Sequence, residues 1–416
     1  MNAKVDEHLF RHESGRLVSA LTRLFGAHNL ALAEDVAQHA FCRALEVWKA
    51  HGVPENPSAW LLATARHRAL DLLRRERTAR VFAPELSRLF DSEGELAGAV
   101  DDALRPDALR DELLSMMFSC CHPQLPEPAQ LALVLNVLCG FGAHEIASAL
   151  LTGRAAIEKR IARGKRLLAS KQRLFDLSDA DFAERLSTVL RALYLLFNEG
   201  YHGASRSAAV RPELCEEALR LTALLCEHPP AATPRTLALA ALLCLNAARL
   251  PARLDAHGDL CPLAEQRRSR WDPELLERGL TLFERSTSGD ELSSYHLEAA
   301  IAVAHVSAPS FAQINWSTVI DLYDRLLELA PSPVAALARA VAIGERDGAA
   351  AGLSALEALD SERLRDYLFY PAARGELELR RGQMTAAQRH FRQALALCNS
   401  DAERRYLQKR LAAAAH

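Results

Sequence analysis

Ala143-His144-Glu145-Ile146-Ala147-Ser148-Ala149-Leu150, then Gly153, then Arg154 through Leu168: the reading of this stretch decides the fold. The first eight residues make a short helix, Gly153 supplies the turn, and a longer helix follows. Ile146, Ala147 and Leu150 are placed to pack against Ile157 and Ile161. That packing leaves Arg154, Glu158, Lys159, Arg163, Lys165 and Arg166 mainly off the buried stripe. A DNA-recognition helix needs this division, with an apolar seam holding it down and basic groups facing phosphates and base edges. Plain helix packing without DNA is the competing reading. His144-Glu145 does not begin a zinc-protease motif, because Ser148 stands where the second His is required.

Outward from this pair, nearly everything reads as helix. Ala and Leu recur at three- and four-residue spacing, and no alternating strand pattern persists. A block over about 106–172 holds four short helices separated by Pro123 to Pro128, Gly140 to Gly142, and Gly153. Upstream, residues 81–105 are rich in Asp, Glu, Gly and Ser and read as an acidic linker. The first block shows helical runs around 13–25, 31–50 and 57–79, with Pro54 and Pro57 punctuating the last gap. From about 175 to the end, helical pairs alternate with breaks near 200–211, 228–234, 251–273, 286–291, 307–313 and 330–333. Gly375, Gly382, Ala387, Phe391 and Ala394 fall at the spacing of a tetratricopeptide unit, with a generic helical hairpin as the alternative. The expected fold class is all-α.

Charge is distributed unevenly. Segment 66–80 holds six basic residues and two acidic, and segment 151–173 eight basic and one acidic. Between them, segment 81–115 holds three basic and nine acidic residues. Residues 174–416 lean acidic, with 27 basic against 32 acidic. Two basic stretches around an acidic spacer suit two anion-binding surfaces, although solvated helix faces produce the same counts.

The first block supplies a second constellation. Asp35, Gln38 and Phe41 recur every three residues and so share one side of a helix. The loop from Trp48 to Pro57 then offers an aromatic, Lys49 and Asn56. A basic amphipathic helix with Arg66, Arg74 and Arg75 comes next. Exposed aromatics beside basic groups suit unstacked single-stranded DNA. Of the two tryptophans, Trp60 is read as core and Trp48 as exposed.

Several classes are excluded. The longest apolar run, Leu237 to Leu245, is about half what a membrane span requires. The polar, acidic start Met1-Asn2-Ala3-Lys4-Val5-Asp6-Glu7 is unlike a secretory signal. Nine scattered cysteines without a Cys-x-x-Cys pair fit neither a disulfide framework nor a zinc site, and they point to a reducing cytoplasm. No phosphate-binding loop and no nucleophile–base motif occurs, so neither an enzyme nor a cofactor is expected.

Three of these segments, taken in order, resemble a known family. Glu34-Asp35-Val36-Ala37-Gln38-His39-Ala40-Phe41 is similar to region 2.2 of sigma-70-family factors. Asn56 through Asp71 resembles regions 2.3 and 2.4, and Leu131 to Leu168 resembles region 4. The spacing fits the extracytoplasmic-function type. Leu195-Leu196-Phe197-Asn198-Glu199-Gly200-Tyr201, Ser269-Arg270-Trp271-Asp272 and Pro331 to Ala342 resemble the subgroup with a long tetratricopeptide-like extension.

The resemblance implies a transcription initiation factor with a region 2 domain over 1–80, a linker over 81–105, a region 4 domain over 106–172 and an extension over 173–416. Its partners would be core RNA polymerase, through Asp35, Gln38 and Phe41, and promoter DNA. The minus-ten element would meet Trp48, Lys49, Asn56, Arg66, Arg74 and Arg75. The minus-thirty-five duplex would meet Arg154, Lys159, Arg160, Arg163, Lys165 and Arg166. Asn198, Glu199 and Tyr201 form an expected interdomain dock, with Gly200 read as a helix stop. The extension leaves room for a regulatory protein or ligand, and no membrane or metal is expected. Two other classes stay open: a tetratricopeptide scaffold or sensor with a helical but non-DNA-binding first half, and a dimeric repressor.

Overall fold

The computed structural model describes residues 3–79, 93–149, 152–170, 177–202, 210–255, 257–360, 362–398 and 400–415. Helix dominates throughout, and the described residues hold no strand beyond an isolated bridge between Leu254 and Leu260. Two compact units divide the chain, Met1–Leu195 and Leu196–His416.

The first unit opens with α1 (Ala3–Phe25), α2 (Leu30–His51) and α3 (Pro57–Ala79). On α2 the buried stripe is Ala33, Val36, Ala37, Ala40, Ala44 and Trp48, a seam of small residues closed by one large ring. Small side chains let α1 and α3 approach closely, and Leu17, Leu21 and Phe25 of α1 fill the space between them. The acidic stretch expected to be linker carries a helix, α4 (Glu93–Ala103), whose Val100 is fully buried. That corrects the reading of 81–105 as linker throughout. One apolar residue per turn is enough to seat a short acidic helix, and no periodicity announces it. Residues 80–92 lie outside the described set.

Four further helices make the second block: α5 (Pro106–Cys120), α6 (Glu127–Leu133), α7 (Ala143–Ala149) and α8 (Arg154–Ala169). A π-helical turn over Val134–Leu138 continues α6. The two blocks do not stand apart. Gly15 of α1 sits against the end of that turn, where a Cβ would lie 2.3 Å from the carbonyl oxygen of Leu138. Arg11 stacks 4.8 Å from the Phe141 ring centre and pairs with Glu145 at 2.7 Å. Arg23 pairs with Glu112 at 3.2 Å.

Helix α9 (Asp179–His202) begins within this unit and runs past its boundary. Its Phe182 ring meets Phe118 of α5 edge-on, with centres 4.6 Å apart. The Arg185 guanidinium donates to the Phe118 carbonyl at 3.3 Å, and Arg191 pairs with Glu127 at 2.5 Å. Residues expected to open an extension at 173 thus pack on the helix-turn-helix block. Gly200 does not stop α9, which runs on to His202; the Gly200 carbonyl instead accepts the Arg211 amide at 2.7 Å.

The second unit is a chain of antiparallel helices: α10 (Pro212–Glu227), α11 (Pro234–Ala247), α12 (Pro273–Ser286), α13 (Ser294–Ser307), α14 (Trp316–Leu329), α15 (Pro333–Asp347), α16 (Ala349–Glu357), α17 (Phe369–Arg380), α18 (Met384–Leu397) and α19 (Asp401–Ala413). Proline at the first helical turn starts α10, α11, α12 and α15, where its missing N–H is not needed. The hairpin read from Gly375 to Ala394 is present as α17 and α18. A Cβ on Gly375 would stand 2.8 Å from the Phe391 ring, so only glycine admits this approach. The array curls until α19 reaches the loop before α12, where Arg405 and Lys409 both bond the Asp259 carboxylate.

Candidate nucleic-acid interface

The helix-turn-helix forms as the pattern requires. Ile146, Ile157 and Leu168 are fully buried and Ala147 and Ile161 nearly so, while Leu150 lies outside the described residues. Lys159 and Arg163 project from α8 into solvent with no carboxylate partner among the described residues. Arg154 is exposed but bonds Glu158 one turn on, at 2.7 Å. Arg160 is half-buried, and Arg166 is exposed and donates to the Ala162 carbonyl at 3.3 Å. Lys165 departs from the rest. Its ammonium is 2.5 Å from Glu34 on α2, so the structure turns this cation inward, toward the first block.

On α2, Asp35 and Gln38 are exposed, and Phe41 is half-buried with its ring centre 5.0 Å from that of Phe10. The solvent stripe continues through Cys42, Leu45 and Lys49. Leu45 is 45% exposed, a large apolar side chain on a polar stripe. Sequence reasoning missed it, although its seven-residue offset from Gln38, about two turns, returns it to the same face.

The tryptophans exchange their expected places. Trp48 is 2% exposed, wedged between Phe10 (5.9 Å) and Trp60 (5.5 Å), so it is core and offers no platform to a base. It falls on the alanine seam of α2, which decides its direction. Trp60 is half-buried and lines a surface groove of about 350 Å³ together with Arg43, His67 and Arg68. Basic and aromatic groups therefore do meet, but along α2 and α3 rather than in the loop. Asn56 is exposed, with its Oδ1 taken by the Ala59 amide at 3.0 Å as the cap of α3, which leaves only its amide nitrogen to spare.

Arg66 is held by Asp101 of α4, with one bond at 2.9 Å, and hydrogen bonding to Arg66 keeps the Asp101 carboxyl below the usual carboxylate range. The acidic helix thus covers part of the basic surface expected for the minus-ten strand. Arg74 and Lys49 are exposed, and the Arg75 side chain lies outside the described residues. In the second unit, Asn198 and Glu199 are half-buried, but Tyr201 is 5% exposed. Its ring stacks on Phe197 and carries the Arg253 guanidinium 4.2 Å above it. Tyr201 is thereby committed to the interior of its own unit and is not a surface for docking.

A helix-turn-helix with a solvent-facing basic helix, beside a helical block with a basic aromatic groove, defines a DNA-binding protein of two helical modules. Residues 9–79 match sigma-70 region 2, residues 115–168 match sigma-70 region 4, and residues 185–287 match a family of unknown function designated DUF6596. An uncharacterized protein of Rhizobium meliloti (strain 1021) is 38% identical over 403 residues, 95% of this chain and 94% of that protein. The chain belongs to the sigma-70 family, in its extracytoplasmic-function form with a helical C-terminal extension. It is an RNA polymerase sigma factor, from a family without enzymatic activity. Among the described residues no helix is long and apolar enough to cross a membrane.

Proposed function

We propose that this chain recruits core RNA polymerase to its promoters, and that its extension is required for that activity. The α2 stripe of Asp35, Gln38, Phe41 and Leu45 meets the polymerase. The groove at Trp60, Arg43 and Arg68, with Lys49, Arg66 and Arg74 nearby, takes the unpaired minus-ten strand. Helix α8 reads the minus-thirty-five duplex through Lys159 and Arg163, with Arg154, Arg160 and Arg166 as further phosphate contacts. Lys165 joins them only after leaving Glu34. The observation that carries this reading is α8 itself, pinned by Ile157 and Ile161 while Lys159 and Arg163 face solvent without a carboxylate partner among the described residues.

The requirement for the extension rests on α9. Phe182 and Arg185 cover Phe118, so removing α9 uncovers an apolar ring in the helix-turn-helix block and leaves the Phe118 carbonyl with the Cys121 amide as its remaining donor. Transcription with purified core polymerase on a genomic promoter library tests both statements. Full-length protein gives defined starts, and protein cut after residue 173 gives none. A truncated chain that transcribes at least as well as the full one refutes the role of the extension. Stable duplex binding without polymerase-dependent initiation refutes the sigma reading.

A further inference from the structure

The second unit holds a half-open cavity of about 520 Å³, within the range of small-molecule sites. Phe311, Trp316, Tyr323, Val341, Tyr367 and Phe369 give it an aromatic and aliphatic wall. At its polar end stand Arg249, Arg253 and His305. Arg249 donates to Gln266 at 3.3 Å, and Arg268 behind it donates to the His305 carbonyl at 3.0 Å. None of these three guanidiniums has a carboxylate partner among the described residues. Instead, Arg253 lies 4.2 Å over Tyr201, and Arg268 lies 4.4 Å over Trp271. Arg253 Nε and His305 Nε2 are buried without a hydrogen-bond partner among the described residues.

Elsewhere on the wall two of the three carboxylates are matched by cations. Glu345 pairs with Arg380 at 2.6 Å, and Glu376 pairs with Arg410 at 2.6 Å. Glu403 is approached by the Cys398 thiol at 3.8 Å. Among the described residues, Arg249 and Arg253 are therefore the wall guanidiniums without a carboxylate partner, and Glu403 is the wall carboxylate without a cation. Burial pulls the Arg249 guanidinium below its ordinary value. Burial, then the charges of Arg249 and Arg268, push His305 down to about 4, so it is neutral at neutral pH and adds no cation. Holding half-buried guanidiniums together without a counter-ion is costly, and a bound anion relieves that cost.

We propose that this cavity binds an amphipathic small-molecule carboxylate, its carboxylate on Arg249 and Arg253 and its aromatic or acyl body against Trp316, Tyr323 and Tyr367. Guanidinium forks match a carboxylate in geometry as well as charge, and the aromatic wall takes the apolar part out of water. The site shares no residue with the proposed promoter- and polymerase-binding surfaces, so it stands or falls independently of the sigma reading.

Isothermal titration of the full chain with decanoate and with 2-naphthoate tests the proposal, with decyltrimethylammonium as the cationic control. At least one carboxylate binds saturably at one site per chain, the preferred one distinguishing an acyl from an aromatic body, and the ammonium does not bind. Arg249→Gln with Arg253→Gln weakens binding at least tenfold. Ala338→Trp, which fills the cavity from α15, abolishes it. Circular dichroism verifies that each variant is folded; if the tryptophan variant is not, the arginine pair decides alone. Absence of saturable binding by both carboxylates, equal binding of the ammonium, or unchanged affinity in the arginine variant overturns the proposal.

Discussion

Replacing Glu34 with Gln should loosen the recognition helix from the first block without touching a DNA-facing residue. In the structure the Lys165 ammonium is 2.5 Å from Glu34, with the two side chains 28% and 30% exposed. For a pair this open to solvent, loss of the charge costs about 1 kcal/mol, the upper end for exposed pairs. An energy of that size shifts a closed–open equilibrium about fivefold. If Lys165 must leave Glu34 to reach DNA, Glu34→Gln raises the affinity of free protein for promoter duplex by up to that factor. Fluorescence anisotropy with duplexes selected on the native protein reads the change, and hydrogen exchange over residues 154–170 should rise with it. Lys165→Gln provides the contrast, because it breaks the same pair but also removes the cation and so fails to gain affinity. Duplex affinity that stays unchanged or falls in Glu34→Gln refutes the idea that this contact holds α8 closed.

Neutralising Lys159 or Arg163 should weaken duplex binding and lower the salt slope by about one unit, measured by titration at several salt concentrations. Asp35→Ala with Gln38→Ala and Leu45→Ala should weaken core-polymerase binding by about 2 kcal/mol or more while circular dichroism stays native. Trp48→Ala should cost about 3–5 kcal/mol in urea unfolding because a buried ring leaves a void. Trp60→Ala should instead leave most stability intact and impair promoter melting, read by permanganate footprinting. Glu13 is buried, which raises its pKa, but bonding to His12, the charges of Arg16 and His12, and the Ser58 hydroxyl outweigh that and hold it below 4.5. A carboxylate depressed on folding contributes stability present above its unfolded value and lost as pH falls through its folded value. Denaturation midpoints should therefore drop below about pH 4.5, and Glu13→Gln should flatten that dependence.

Periodicity and breaker residues determined most of the architecture directly. The helices that start at Pro57, Pro212, Pro234, Pro273 and Pro333 begin at or beside the proline breaks that predict them, because proline acts on the backbone locally. The helix-turn-helix was legible for the same reason, since its seam and its basic face lie on one short stretch. The Gly375–Phe391 approach was legible because spacing within one hairpin sets which residues meet.

What depends on a second element was not legible. Trp48 points inward along the seam of its own helix, but that this seam meets Phe10, thirty-eight residues earlier, and Trp60 on the next helix is decided by packing. Lys165 carries the same charge as its neighbours on α8, and only the approach of Glu34 turns it inward. Asp101 reads as solvated linker until Arg66 lies beside it, and Tyr201 reads as a surface corner until Arg253 stacks on its ring. The cavity between Arg249 and Tyr367 has no local signature, since its walls come from helices spread over the second unit. Local sequence sets the conformation of each helix, whereas burial and charge pairing depend on neighbours that folding alone brings close.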